Sequence, residues 1–133
     1  MKVVLDTNIA VSALLNPHGP SAQIVGMALS GDLTLCCDLR ILAEYREVLS
    51  RAKLNFELTA VEDFLHFIEN DSCWVIARRT KHKFTDQEDA KFFETAAIAQ
   101  ADYLITGNLK HFPKSPQIVS PARFLEIYRN SIA

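Results

Sequence analysis

Lys2-Val3-Val4-Leu5-Asp6-Thr7-Asn8-Ile9, continued by Ala10 to Leu15, is the stretch that decides the fold. Val3-Val4-Leu5 lacks polar alternation, so it reads as a strand buried on both faces, and a helical pattern from Ile9 to Leu15 opens directly after Asn8. The rest of the chain repeats this alternation. A helix from about Ser21 to Ser30 stops at Gly31, Leu33 to Cys37 is a second strand, and Asp38 caps a helix reaching about Arg51. Thr59-Ala60-Val61-Glu62 has capping-box spacing and opens a helix that ends near Asn70. Trp74 to Ile76, Tyr103 to Ile105 and Ile118-Val119 are the remaining strands. Thr85-Asp86-Gln87-Glu88 repeats the capping pattern before the helix of Phe92, Phe93, Ala96 and Ala97, and Ser120-Pro121 opens the last helix. The predicted class is α/β: a three-layer α/β/α sandwich around a central, mainly parallel sheet of about five strands.

Length and composition bound the function. The 133 residues suit one domain spanning 1–133, and 49% hydrophobic with 23% charged residues is an ordinary globular balance. Fourteen basic against sixteen acidic residues give a formal charge of −2, which excludes a protein that coats nucleic acid by bulk charge but not a local basic patch. No apolar run approaches the ~20 residues of a bilayer span, and the first residues reach a charge too soon for a signal peptide. Cys36, Cys37 and Cys73 read as thiols of a reducing compartment rather than as a disulfide or zinc set. The expectation is a cytoplasmic protein with no membrane association.

In parallel sheets, ligands bind beyond the carboxyl ends of the strands, and here those ends carry acids and amides. Asp6 ends the first strand, and Asn108 follows the fourth through Thr106 and Gly107. Ile41, Leu42, Tyr45, Val48 and Leu49 share one arc of their helix, which puts Glu44 at the margin of the core. Asp89 precedes Phe92, Phe93 and Ala96 on an apolar face, in a first turn that favours a carboxylate. Each acid also has a plain structural use: Asp6 as a helix cap, Glu44 as a partner of Arg40 or Arg46, and Asp89 as a dipole charge. Together, three carboxylates and an amide are hard-oxygen donors of the kind that hold Mg²⁺ or Mn²⁺.

The ordered motifs resemble the PIN-domain family of metal-dependent ribonucleases, especially its single-domain toxin members from toxin–antitoxin pairs. The resemblance is carried by Val3-Val4-Leu5-Asp6-Thr7-Asn8-Ile9 with Ser12-Ala13-Leu14-Leu15, by Glu44-Tyr45 with Val48-Leu49, and by Asp86 to Glu94. Ala101 to Asn108 with His111-Phe112-Pro113 completes it. It implies a catalytic set of Asp6, Glu44, Asp89 and Asn108, with the metal on Asp6, Glu44 and Asp89. Many relatives have an aspartate where this chain has Asn108, which makes a second metal less secure than a first. The resemblance also implies an RNA substrate, a separate antitoxin protein and a homodimer. A haloacid-dehalogenase phosphatase would need a second aspartate where this chain has Asn8.

Thr7, Asn8 and Thr106 are small polar groups that can orient carboxylates or waters, or can serve as caps and turns. Arg78, Arg79, Lys81 and Lys83 form the one dense basic run, which can hold RNA phosphates or be a solvated loop. The competing function is a PIN fold with a weakened site, kept as an RNA-binding or protein-interaction module.

Overall fold

A computed structural model describes residues 1–76 and 87–132. The chain runs β1 (Lys2–Leu5), α1 (Thr7–Leu15), α2 (Pro20–Leu29), β2 (Thr34–Cys37), α3 (Leu39–Leu49), α4 (Leu58–Asp71) and β3 (Cys73–Trp74). It continues with α5 (Ala90–Ala99), β4 (Tyr103–Ile105), β5 (Ile118–Val119) and α6 (Pro121–Ile132). The five strands form one parallel sheet in the order β3-β2-β1-β4-β5. Helices cover both faces, so Val3, Val4 and Leu5 are all buried, as the unbroken apolar run requires. Neighbouring Cys36 and Cys37 are both buried for the same reason, and burial pushes each thiol up to about 12. The predicted three-layer α/β fold is the one observed.

Local chemistry sets most boundaries. Gly31, at φ +88°, turns the chain out of α2, and Asp38 accepts the Ile41 N–H at 2.9 Å to cap α3. Ser120 accepts the Arg123 N–H at 3.2 Å, with Pro121 as the first residue of α6. Three expectations need correction. Helix α1 opens at Thr7 instead of Ile9, because the Ile9 N–H already reaches the Asp6 carbonyl at 2.9 Å. Thr59 lies inside α4 and donates to the Glu57 carboxylate at 2.7 Å, so it does not act as the cap of a capping box. Strand β3 covers Cys73–Trp74 and not Trp74 to Ile76: among the described residues it pairs with β2 alone, which ends at Cys37, and Ile76 is left 94% exposed. The second capping pattern lies outside the described residues except for its last two positions.

The sheet order positions the site. From β1 the chain moves outward through β2 to β3, then returns past β1 to β4 and moves outward again to β5. Adjacent β1 and β4 therefore send their following segments in opposite directions, which opens a crevice at their carboxyl ends. Leu5 and Ile105 are register partners, so the residues after them, Asp6 and Thr106, stand side by side at that crevice. No helix among the described residues is long and apolar enough to cross a membrane.

Candidate active site

Asp6 occupies the N-cap position of α1, yet its carboxylate makes no capping bond. It turns instead to β4 and accepts the Thr106 hydroxyl at 2.7 Å, while the Asp6 N–H donates to the Ile105 carbonyl at 3.0 Å. Both groups are buried, Asp6 at 6% exposure and Thr106 at 0%. Burial pushes the Asp6 carboxyl above its usual range; the Thr106 hydroxyl opposes this, and the neighbouring carboxylates of Asp89 and Glu44 add to it. The tertiary structure thus brings the three predicted acids into one electrostatic neighbourhood from three separate elements.

Glu44 reaches the site from α3. Its Oε2 accepts the Thr7 hydroxyl and its Oε1 takes the Lys91 ammonium at 2.7 Å. Neither Arg40 nor Arg46 pairs with it: Arg40 binds Asp38 and Glu94, and Arg46 binds Glu69. Tyr45 backs the site from the next position of α3, donating its hydroxyl to the Leu5 carbonyl at 2.5 Å, one residue before Asp6. Asp89 ends a single 3-10 turn, Gln87–Asp89, and His111 Nδ1 lies 3.1 Å from its Oδ2. Asn108 presents an exposed side chain and gives its backbone N–H to the Thr106 hydroxyl at 2.9 Å. Asn8 accepts the Gly107 N–H at 3.2 Å through its amide oxygen, which ties the loop after β4 to α1.

Lys91 and His111 were not legible as site residues. Lys91 is buried on α5 and binds Glu44, the Glu88 carbonyl at 2.6 Å and the Glu88 carboxylate at 2.9 Å. Burial alone would pull its pKa down, but the hydrogen bonds to Glu44 and Glu88 outweigh that and raise it. Its only sequence signal was a lysine two residues beyond Asp89. A groove of about 600 Å³ passes over this pair, lined by Arg40, Glu44, Glu47, Arg51, Glu88 and Lys91 among others. Arg78, Arg79, Lys81 and Lys83 lie outside the described residues.

The PIN-domain family model matches residues 2–110 of the chain, from the first residue of β1 through the loop that follows β4. The chain belongs to the PIN-domain family. No curated protein matches it in sequence. PIN domains are generally nucleases, so the family supports a phosphodiester hydrolase. Among the described residues of this PIN domain, no three His, Cys, Asp or Glu side chains form a ready-made metal cage. The donor chemistry nevertheless fits a hard divalent cation: the carboxylates of Asp6, Glu44 and Asp89 are oxygen donors, and mutual repulsion of the kind acting on Asp6 is what such a cation relieves.

Proposed function

We propose that this PIN domain is an endoribonuclease that hydrolyses RNA phosphodiester bonds with Mg²⁺ or Mn²⁺ held by Asp6, Glu44 and Asp89. The observation that carries the reading is Asp6 at the β1–β4 crevice, destabilised as an anion first by its burial and further by two acids of the same motif set. A divalent cation, when bound, polarises a phosphoryl oxygen and makes water a competent nucleophile at neutral pH. The protein's own groups do the positioning. Thr106 holds Asp6 Oδ2 through its hydroxyl, and Thr7 and Lys91 each hold one oxygen of Glu44. Asn108 contributes an amide at the mouth of the crevice, a dipole without charge. Arg78, Arg79, Lys81 and Lys83 form the basic run in the sequence that precedes Asp89, and in this reading they take the RNA phosphates.

The resemblance to single-domain toxins extends the proposal. The protein then works in the cytoplasm as a homodimer and is held in check by a separate antitoxin protein. Growth arrest on expression, relieved by a neighbouring gene product, is the expected behaviour; harmless high-level expression of an active nuclease would overturn the toxin role.

Asp6→Asn tests the catalytic reading. It removes the charge while keeping an oxygen that can accept from Thr106, so RNA cleavage should vanish with the circular dichroism spectrum unchanged. Cleavage that survives this substitution, or excess chelator, would overturn the assignment. A second reading, a weakened site that retains RNA or a protein partner without cutting, is favoured by the Lys91–Glu44 ion pair and the uncharged Asn108. RNA retention without cleavage in saturating Mn²⁺ would select it.

A further inference from the structure

Lys91 is an unusual residue to place where it stands. It is 7% exposed on a helix that packs against β1, β2 and β4, a position where an apolar side chain would carry no desolvation cost. Its three N–H donors face three oxygens: Glu44 Oε1 at 2.7 Å, the Glu88 carbonyl at 2.6 Å and Glu88 Oε2 at 2.9 Å. That is a cation with an oxygen at each N–H, at the edge of the acid cluster, and its Nζ also stands 5.4 Å from the centre of the Phe92 ring. Tying α3 to α5 does not require it, because Arg40 on α3 already reaches Glu94 on α5 at 2.8 Å.

We propose that the Lys91 ammonium takes the place of a second divalent cation, so that this site binds one metal ion per chain. The inference rests on the nuclease reading above. Among the described residues, Asp6, Glu44 and Asp89 less the one ammonium leave the charge that a single divalent cation balances; Glu88 stands largely in solvent, where its charge is screened. A second cation would have to share the acids with the fixed ammonium, which repels it, and the fourth motif position, Asn108, adds no charge to offset that repulsion. Both oxygens of Glu44 are already engaged, Oε1 by Lys91 and Oε2 by Thr7, so Glu44 is held in place before any metal arrives. Lys91 is in this sense a positioning residue with a charge-counting role.

Manganese titration of the full chain tests the inference, read by calorimetric stoichiometry and by the electron paramagnetic resonance of bound Mn²⁺. Wild type should take up a single, magnetically isolated Mn²⁺. Lys91→Met keeps the stem and removes the charge, and should bind two Mn²⁺ with a spin-coupled spectrum; Lys91→Arg should restore one. Should Lys91→Met lose its circular dichroism spectrum, Lys91→Gln takes its place, with the same expectation of two. Two coupled ions in wild type, or a folded charge-removing variant that still binds one, would overturn the proposal and leave the nuclease reading standing. A wild-type protein that binds no Mn²⁺ and cuts no RNA would overturn both.

Discussion

Two ion pairs join α3 to α5, one helical turn apart, and their polarity is reversed. In the first, the cation sits on α3: Arg40 bridges Glu94 at 2.8 Å and Asp38 at 2.8 Å. In the second, the cation sits on α5: Lys91 meets Glu44 at 2.7 Å. Their surroundings separate them further. Asp38 and Glu94 are buried at 4% each, and one guanidinium with 44% of its side chain exposed reaches both, while Asp38 also caps α3. In the second pair the lysine is the buried partner, and its acid belongs to a group of carboxylates that repel one another. The lesson is that burial of acids does not mark a site by itself. Acids matched by a guanidinium hold a fold together, whereas Asp6, the neighbour of Glu44 in the acid cluster, is pushed up by burial and like charges, the mark of a candidate site.

Substitutions at the two pairs should therefore have opposite signatures. Glu44→Gln should lower RNA cleavage by at least ~10²-fold, since even outer partners of a metal site cost 10–100-fold. Its melting temperature should move less than in Arg40→Ala, because the amide oxygen can still accept from Lys91 and Lys91 keeps both Glu88 oxygens. An active Glu44→Gln enzyme would erase the distinction between the pairs. Arg40→Ala should do the reverse, leaving Asp38 and Glu94 without their guanidinium. Losing one partner of a buried pair costs ~3–5 kcal/mol, and the half-exposed arginine reduces this to about 1–2 kcal/mol, readable by urea unfolding with cleavage by the folded fraction retained.

Thr106→Val sharpens the contrast within the acid site. Its hydroxyl lowers the Asp6 pKa, so its removal should raise that pKa further and move the acid limb of the pH–rate profile upward, with a fall of ~10-fold in rate. A profile that does not move would show that the hydroxyl has no hold on Asp6. The smallest expected effect concerns stability. Burial, helped by Asp89 and Glu44, raises the folded pKa of Asp6 above its ordinary value of 3.8. Its stabilising contribution is then fully present below that ordinary value and is lost as pH rises through the folded value. In chelator at pH 7, Asp6→Asn should consequently melt a little higher than wild type, with the gap closing as the pH falls to about 3. A lower melting point at neutral pH would contradict the repulsion that distinguishes the two regions.

Much of the architecture was legible because it rests on local rules. The apolar runs at Val3 to Leu5 and Tyr103 to Ile105 became central parallel strands, and Asp38, Gly31 and Ser120-Pro121 ended or opened helices where their chemistry directs. Glu44 could be placed at the margin of the core from helical phase alone, and the structure leaves it half-buried there. Thr59 misled because a threonine followed three residues later by a glutamate also occurs one residue inside a helix, where the hydroxyl found Glu57 instead of the backbone. Ile76 misled because strand propensity does not say where an edge strand loses its partner.

The sequence by itself determined the alternation of strands and helices, the acids at strand ends and helix starts, and the order of motifs that marks the family, since each depends on neighbours a few positions away. Only the tertiary structure decided which partner each acid received. Thr106 meets Asp6, Thr7 and Lys91 share Glu44, Arg40 takes Glu94 and His111 lies against Asp89 because β1 lies beside β4 and α3 beside α5. Hydrogen-bond and ion-pair energies fall off over a few ångströms, so those choices follow from the order of strands across the sheet, which no local periodicity records.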